Sequence, residues 1–288
     1  MKIVILGASG MVGGIISNYL KRKEHIITCF SRKKMSYTDT LFDIFDYSNL
    51  LSLERWVEIY KPHAIINCIG LLVKDCEDNP ANAIYINSQF PHFLENMTKD
   101  TNTKIIHLST DCIFNGDSII PYCEDSLPDE TNWYGRSKAL GEINNNKDLT
   151  LRQSIIGPAP QKKNTGLFNW IFTQKESSVK GFSNVMWNGI TTLELAKNIE
   201  KILIDIPQLS GIQQLIPDNE IISKYDLLLL IKKKWNLPVE IEKISEPHSF
   251  KILENVRETP LSIKGYKEQI DELYDYMQQY NIKVGHIN

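Results

Sequence analysis

The sequence predicts an α/β fold: a doubly wound parallel sheet followed by a smaller, helix-rich C-terminal lobe. In the first half of the chain, short runs of β-branched residues alternate with segments of helical periodicity. These runs are apolar almost throughout, which is typical of parallel strands covered by helices on both faces. Beyond residue 156 the alternation stops and helical periodicity prevails.

The strands of the sheet are predicted from runs of β-branched and aromatic residues. They are KIVIL (2–6), HIITCF (25–30), a short strand ending in FDIFD (42–46), HAIINCI (63–69), KIIHLS (104–109) and LTLRQSII (149–156). The helices between them are predicted at Met11–Lys23, Leu50–Lys61, Ala81–Lys99 and Thr131–Asn145. Right-handed crossovers then bring the carboxyl ends of the strands to one edge, where doubly wound sheets bind ligands.

A loop-like stretch rich in Pro, Gly and Lys, GPAPQKKNTG (157–166), predicts a boundary between a sheet domain at 1–156 and a lobe at 157–288. Part of the lobe, about 182–205, is expected to return to the sheet domain. The elements predicted in the lobe are helices around Leu167–Lys175, Thr192–Ile204, Ser223–Trp235 and Gly265–Tyr280 and a short strand at Val239–Ile244.

Composition limits the classes of function. Hydrophobic residues make up 42% and charged residues 23% of the 288 residues, and the formal net charge is −3. This balance is ordinary for a soluble protein and argues against a general nucleic-acid binder, which would show a basic face. No run approaches the roughly 20 apolar residues of a membrane helix. The histidines and cysteines show no metal-ligand spacing, and an odd number of cysteines without a CxxC pair indicates a reducing compartment, the cytoplasm.

The segment GASGMVG (7–13) follows the first strand and opens a helix. Gly7 permits a tight turn, Gly10 lets the backbone approach a pyrophosphate, and Gly13 allows close packing of helix on strand. Free N–H groups at the helix N-terminus attract the anion. The loop, with Ser9, Met11 and Val12, is therefore predicted to bind a dinucleotide; the alternative is an ordinary strand-to-helix turn.

The end of the second strand indicates which dinucleotide. NAD enzymes usually place an acidic residue there, but this chain has Ser31 and Arg32 in FSRKK and no acid. An arginine can pair with a 2′-phosphate, so NADP(H) is favoured over NAD(H), the alternative being a solvated basic turn. Asp43, next to Ile44, is expected to accept from the adenine amino group, with Asp46 as the alternative.

The predicted catalytic residues lie where a strand and a helix meet the carboxyl edge. Tyr134 and Lys138 are four positions apart on a predicted helix and share a face. A lysine ammonium, together with an oxidised nicotinamide, is expected to lower the pKa of the tyrosine. Thr110 follows the fifth strand and is placed to hydrogen-bond the substrate oxygen. Alone, a Tyr and Lys at this spacing also fit a surface helix; the glycine loop and Thr110 in this order favour catalysis.

With these motifs the chain resembles the extended short-chain dehydrogenase/reductases, specifically the dTDP-4-dehydrorhamnose reductase-like family. The resemblance covers about the first 155 residues, through GASGMVG, NCIG (67–70), Asn87, STDCIF (109–114), YGRSKALGE (134–142) and LRQS (151–154). It implies a Rossmann fold, with Thr110, Tyr134 and Lys138 as the catalytic residues and Asp111 in contact with the sugar. The cofactor residues that it adds are Cys68, Ile69, Gly70 and Asn87. Tyr134 and Lys138 are also expected to contact the cofactor, with Lys138 holding the nicotinamide ribose.

The resemblance implies a NADPH-dependent reductase that acts on the 4-keto group of a nucleotide-activated 6-deoxyhexose, in nucleotide-sugar biosynthesis for surface polysaccharide. It also implies a homodimer formed through the helix of Tyr134 and the helix before it. The sequence departs from the family pattern at Cys112, where an aromatic residue is expected, and at Ile155, where a Trp is expected. Both positions are expected beside the sugar.

Three alternatives follow from these departures and from related families. A dehydratase would need an Asp-Glu pair after the Thr, and here the pair is Asp111-Cys112. An epimerase-reductase of the GDP-fucose synthase type would use Cys112 with a histidine, but no histidine occurs between His107 and His248. A third possibility is a non-catalytic regulatory subunit that binds NADP and a partner enzyme.

The lobe offers few candidates for substrate binding. Trp187 and Asn188, in MWNGITT, are expected at the junction with the sheet domain, where the Trp stacks on a base or fills the interface. Arg257 is expected to meet a phosphate or to form a surface ion pair. Lys162, Lys163 and Asn164 are candidates for the diphosphate or a solvated loop.

Overall fold

The structure is a computed structural model and describes residues 1–159, 166–174, 178–218, 220–257 and 259–284. Lys162, Lys163 and Asn164 lie outside these residues. Within them, seven parallel strands form a central sheet. These strands are β1 (Lys2–Leu6), β2 (Ile26–Ser31), β3 (Thr40–Leu41), β4 (Ala64–Asn67), β5 (Lys104–Leu108), β6 (Leu149–Arg152) and β11 (Gly211–Gln214).

The helices and the remaining strands are short and flank the sheet or build the C-terminal lobe. The helices are α1 (Met11–Leu20), α2 (Tyr47–Tyr60), α3 (Val73–Asp78), α4 (Pro80–Ala83), α5 (Phe90–Thr98), α6 (Trp133–Leu140), α7 (Gly166–Thr173), α8 (Thr192–Asp205), α9 (Lys224–Trp235) and α10 (Tyr266–Gln279). The small strands are β7 (Ile155–Ile156), β8 (Ser178–Phe182), β9 (Val185–Trp187), β10 (Ile190–Thr191), β12 (Ile222–Ser223), β13 (Glu240–Ile244) and β14 (Ser249–Phe250). A membrane-spanning helix is not found in the part of the chain that the structure describes.

The strand order of the central sheet is β11–β6–β5–β4–β1–β2–β3. The chain first builds outward from β1 through β2 to β3 and then crosses back to β4 on the other side of β1. The order therefore reverses at β1, and the crevice above the carboxyl ends of β1 and β4 is where such sheets bind ligands. This confirms the predicted doubly wound fold.

Side chains of the central strands alternate between two buried layers, because successive residues of a strand point to opposite faces. Ile3 and Ile5 pack on the layer of α1 and α8, whereas Val4 and Leu6 pack on the layer of α2 and α5. The first layer continues into the lobe, where it includes residues of α7, α9 and α10. The two halves of the chain therefore share one apolar core.

The segment that returns to the sheet is longer than expected. Helix α8 packs along α1, and β11 then pairs in parallel with β6. The return therefore extends to Gln214, beyond the expected end near residue 205. No strand was predicted at 211–214, since Gln213 and Gln214 give it little apolar character although both are buried.

Three further elements differ from prediction for identifiable reasons. The predicted helix Ala81–Lys99 contains a π-helical segment at Ile84–Gln89, because Pro91 has no N–H to donate to the carbonyl of Asn87. Helix α6 ends at Leu140, and the following residues turn inward. The predicted strand 149–156 is split into β6 and β7, and β7 pairs with β10.

Candidate active site

The glycine loop turns tightly between β1 and α1. Gly7 has a positive φ of 80°, and a Cβ there would lie 3.0 Å from the carbonyl carbon of Cys68. A Cβ on Gly13 would lie 2.3 Å from the Gly7 carbonyl oxygen, so this glycine allows close packing and lies away from the cleft surface. Helix α1 begins with no side-chain cap at Gly10 and no acidic residue in its first turn. Its N–H groups are therefore free to bind an anion.

A cleft of about 680 Å³ lies along this loop and above the carboxyl ends of β1, β2 and β4. Most of the predicted cofactor residues line it: Gly7, Ser9, Gly10, Met11, Val12, Ser31, Arg32, Ile44, Cys68, Ile69 and Gly70. Sequence analysis missed a second group, which lines the end of the cleft beyond β2 and β4. It consists of Lys33, Phe42, Phe45, Leu71, Leu72, Asp75, Asp78, Asn79, Asn82 and Ile86. Ala159, also missed, and Ile155, which was expected beside the sugar, line the cleft as well.

The mouth of the cleft at the end of β2 is basic. Arg32 is exposed, and among the described residues no carboxylate pairs with it. The Ser31 hydroxyl is buried and bonds the Lys33 carbonyl at 2.6 Å and the Thr38 hydroxyl at 2.9 Å, which fixes the turn that carries the arginine. The guanidinium therefore projects freely at the place where an adenosine ribose would lie.

The predicted cofactor residues that do not line the cleft are Gly13, Asp43, Asn87, Tyr134 and Lys138. Two of them, Asp43 and Asn87, bond neighbouring groups of the protein. The Asp43 carboxylate accepts from the Phe45 N–H at 3.1 Å. Asn87 is fully buried; its Oδ1 accepts from the Leu71 N–H at 2.8 Å, and its Nδ2 donates to the Ser137 hydroxyl at 3.1 Å. Asn87 therefore joins the loop after β4 to helix α6 and positions both.

Helix α6 brings Tyr134 to the turn that follows β5. The Asn132 side chain caps the helix by accepting from the Gly135 N–H at 2.9 Å. A Cβ on Gly135 would lie 2.4 Å from the Cys112 carbonyl oxygen, so only glycine permits this approach. Tyr134 is thereby placed beside Thr110, whose hydroxyl acts to lower the pKa of the phenol.

Thr110 organises the turn. Its hydroxyl accepts from the Cys112 N–H at 3.1 Å and donates to Asp111 Oδ1 at 3.0 Å. The Cys112 thiol also points to Asp111 Oδ1, at 3.5 Å. Burial, followed by the nearby Asp111 carboxylate, raises the pKa of Cys112 to about 12. The thiol therefore stays protonated at neutral pH.

The pKa of Tyr134 shifts in the direction opposite to the predicted one. Burial raises it above its ordinary value, and the neighbouring Cys112 adds to the rise. The expected lowering by the Lys138 ammonium is therefore wrong for the protein alone, where burial dominates. A phenol with this environment is protonated at neutral pH and can donate a proton.

Lys138 is almost completely buried one turn beyond Tyr134. Its Nζ donates to the Leu108 carbonyl oxygen at 2.6 Å and lies 3.4 Å from His107 Nε2. Burial lowers the pKa of Lys138 to about 8. Cys68, which lines the cleft, is among the groups close enough to affect this pKa, so helix α6 lies near the residue that follows β4.

Of the substrate residues predicted in the lobe, Trp187 remains a candidate, whereas Asn188 and Arg257 bond other parts of the protein. Trp187 is buried and faces Tyr266 with ring centroids 5.5 Å apart. The Asn188 side chain bonds both the N–H and the carbonyl of Leu253, at 3.1 and 2.7 Å. Arg257 donates to the Ile212 carbonyl and pairs with Asp125. Asn188 and Arg257 therefore hold the lobe together, and we do not retain them as substrate residues.

Sequence analysis missed two lysines on the lobe side of the turn. Lys224 Nζ lies 5.0 Å from the centroid of the Trp187 ring, and Lys251 Nζ pairs with Glu130 at 3.0 Å. Burial lowers the pKa of Lys224, although Asp111 and Cys112 act to raise it. The pKa of Lys251 is raised in spite of its burial, by Cys112, Glu130 and Asp111. No local pattern marks these lysines, because the lobe brings them to Asp111 from more than 100 residues away.

A family model and a curated relative point to the same family of proteins. The model of the RmlD substrate binding domain matches residues 1–156. A dTDP-4-keto-6-deoxy-D-glucose reductase from Streptomyces niveus is 28% identical over 140 residues, which are 48% of this chain and 45% of the relative. With that reductase, the match thus spans about half of the relative's length.

Two other proteins match most of the chain. The methionine adenosyltransferase 2 subunit beta of Xenopus tropicalis is 26% identical over 254 residues, 82% of this chain and 73% of the relative. The crystal structure of dTDP-4-dehydrorhamnose reductase from Bacillus anthracis in complex with NADP superposes with a TM-score of 0.78 at 21% identity. It covers 96% of this chain and 99% of that chain, which supports the fold.

Proposed function

Because the chain belongs to the RmlD substrate-binding domain family, we propose that it is a NADPH-dependent reductase of a nucleotide-activated sugar. The group reduced is the 4-keto group of a 6-deoxyhexose, in nucleotide-sugar biosynthesis for surface polysaccharide. The observation that carries this proposal is that Thr110, Tyr134 and Lys138 come together at the carboxyl edge of the sheet, close to Cys68, which lines the cleft. The reductases among its relatives, including the one from Streptomyces niveus, support the substrate class.

The cleft fits a dinucleotide. The uncapped N-terminus of α1 receives the pyrophosphate, Arg32 meets the 2′-phosphate, and the apolar wall of Phe42, Ile44 and Ile86 receives the adenine. When bound, the reduced nicotinamide supplies the hydride. Lys138, which lies near Cys68 of the cleft lining, is the residue we assign to the nicotinamide ribose.

The protein groups deliver the proton. Tyr134 Oη–H donates to the ketone oxygen while a hydride is added to the carbonyl carbon, so that the product is an alcohol and the tyrosine is left as a phenolate. Thr110 orients the same oxygen by turning its hydroxyl proton to it from Asp111 Oδ1, the acceptor of that proton in the protein alone. Asp111, with Lys224 and Trp187 across the turn, borders the place we assign to the sugar.

We do not propose epimerisation by Cys112. Removing a proton from carbon requires a thiolate, and burial together with Asp111 keeps this thiol protonated at neutral pH. Lys224 and Lys251, the lysines whose charges interact with this thiol, also interact with the Asp111 carboxylate.

The proposal is tested by mixing the purified chain with NADPH and 4-keto-6-deoxy sugars activated by dTDP, UDP, GDP or CDP. We expect loss of NADPH absorbance with at least one of them and a deoxysugar alcohol as product. A second candidate is a non-catalytic NADP-binding subunit, favoured by the match over most of the chain to a methionine adenosyltransferase subunit. NADPH binding without turnover of any of these sugars would support that candidate and contradict the reductase.

Cofactor choice depends on Arg32. Replacing Arg32 by Ala is expected to weaken NADPH binding about 10- to 100-fold, since it removes a charged hydrogen-bond donor from the 2′-phosphate. NADH binding should be unchanged, because NADH has no phosphate there. Isothermal titration with both cofactors measures this. Lys34→Ala is the matched control, since Lys34 lies in the same basic turn but does not line the cleft. An equal loss for NADH and NADPH would refute the assignment.

We further propose that the protein works as a homodimer in the cytoplasm. Leu140 at the end of α6 and Ile84 before α5 are apolar side chains exposed on the monomer, which supports an interface on these helices. All five cysteines are free, as a reducing compartment allows.

A further inference from the structure

A buried chain of three polar side chains runs behind Lys138. Asn67 at the end of β4, His107 in β5 and Lys138 in α6 are each at most 5% exposed. Asn67 Nδ2 lies 3.2 Å from His107 Nδ1, and His107 Nε2 lies 3.4 Å from Lys138 Nζ. The arrangement involves groups that sequence analysis did not connect, and only Lys138 has a role in the proposed reaction.

The orientation of Asn67 fixes the tautomer of His107. Asn67 Oδ1 accepts from the Ile69 N–H at 3.1 Å, so Nδ2 is the atom that faces the imidazole. An amide nitrogen only donates, and His107 Nδ1 must therefore be the acceptor. A neutral imidazole with an accepting Nδ1 carries its proton on Nε2. The nitrogen that faces Lys138 is thus an N–H donor.

The ring is neutral in this environment. Burial lowers the pKa of His107 well below its ordinary value, and the nearby Lys138 and His92 lower it further. An N–H donor facing an ammonium brings two positive ends together, whereas the lone pair of a neutral amine would accept from it. The Leu108 carbonyl, 2.6 Å from Lys138 Nζ, accepts more strongly from an ammonium than from an amine and therefore opposes this preference.

We propose that His107, held by Asn67 with its proton on Nε2, is a positioning residue that favours the neutral amine form of Lys138. This role of His107 adds to the function proposed for Lys138, and its importance for catalysis rests on that proposed function. It makes Lys138 a group that exchanges its proton close to neutral pH. Burial acts in the same direction, and Glu142, Cys76 and Cys68, which also face Lys138, oppose it.

The test follows Lys138 in the full chain without cofactor, using ¹³C-labelled lysine and the pH dependence of its Cε resonance. Lys138→Arg identifies the signal by its loss. We expect a midpoint near 8 in the unmodified chain and a rise of about half to one pH unit in His107→Phe, because the ring N–H is lost while burial is kept. An unchanged midpoint would overturn the proposal.

A second variant covers the case in which His107→Phe does not fold. Asn67→Asp keeps the acceptor for the Ile69 N–H but replaces the amide donor with a carboxylate oxygen, so the His107 proton should move to Nδ1. The lone pair on Nε2 then accepts from the ammonium, and the Lys138 midpoint should rise. Nitrogen-15 shifts of the His107 ring report the tautomer directly. A protonated Nδ1 in the unmodified chain would also overturn the proposal.

The readouts separate this inference from the proposed function. Both resonances are measured without NADPH or sugar, so they can succeed or fail whether or not the chain is a reductase. If it is, activity should decline as the pH rises through the pKa of Lys138, since the ammonium is present below that pKa and lost above it. This decline should move to higher pH in His107→Phe.

Discussion

Replacing Glu142 by Gln is expected to lower the free energy of unfolding by about 3–5 kcal/mol, the usual cost of removing one partner from a buried ion pair. Glu142 Oε2 accepts from Arg152 Nη2 at 2.7 Å, and Oε1 accepts from Arg152 Nε at 3.0 Å. Both side chains are at most 5% exposed. A neutral amide leaves the guanidinium charged and buried without its counter-ion. Urea unfolding followed by circular dichroism measures the loss.

The same carboxylate also fixes the end of β5 next to Thr110, because Glu142 Oε1 accepts from the Ser109 hydroxyl at 2.6 Å. The matched control is Lys267→Ala, which removes an exposed pair with Asp271 and is expected to cost at most about 1 kcal/mol. Glu142→Leu combined with Arg152→Met should recover part of the loss, since no buried charge remains. If Glu142→Gln and Lys267→Ala were equally stable, the ion pair of Glu142 and Arg152 would not contribute the expected free energy of unfolding.

The elements around the cleft could be predicted because local pattern encodes them. Apolar runs define β1, β4 and β5, and the glycine spacing defines the turn before α1. The placement of Thr110 and Tyr134 also follows, since both lie on elements that reach the carboxyl edge. Each of these features can be predicted from residues that lie close together in the sequence.

The interactions that tune the site could not be predicted, because they join polar groups far apart in sequence. His107 meets Asn67 and Lys138 at separations of 40 and 31 residues. The Lys224 ammonium reaches the Trp187 ring only through the fold of the lobe. Strand β11 escaped prediction for a related reason: Gln214 is buried because its amide donates to the Tyr122 carbonyl at 3.1 Å, a partner that hydropathy cannot reveal.

The pKa of Tyr134 shows how burial can reverse a sequence expectation. The spacing of Tyr134 and Lys138 predicts a phenol made more acidic by an ammonium. In the fold, both groups are removed from water, which disfavours the charged form of each. Burial therefore raises the pKa of the phenol and lowers the pKa of the amine, so that the uncharged form of each is favoured in the protein alone.

The largest effect on activity is expected from Tyr134→Phe, which should lower kcat for ketone reduction by about 10²–10⁴-fold, the range for loss of a general acid. The ring remains, so the close contact of α6 with the Cys112 carbonyl through Gly135 is retained. Only the phenol hydroxyl, which is the proposed proton donor, is removed, together with its interaction with Thr110. NADPH consumption with the sugar that the unmodified chain reduces measures the change.

Two controls show whether a loss of activity comes from the missing Tyr134 hydroxyl. Tyr47→Phe removes a phenol hydroxyl from an exposed position and should leave kcat unchanged. NADPH binding by Tyr134→Phe, measured by thermal shift, should be close to that of the unmodified chain, because the glycine loop and Arg32 are untouched. Because hydride transfer to a ketone without a proton donor must form an alkoxide in a partly buried site, the loss should appear in kcat rather than in cofactor affinity. A Tyr134→Phe variant that reduced the ketone at the unmodified rate would remove Tyr134 from the chemistry.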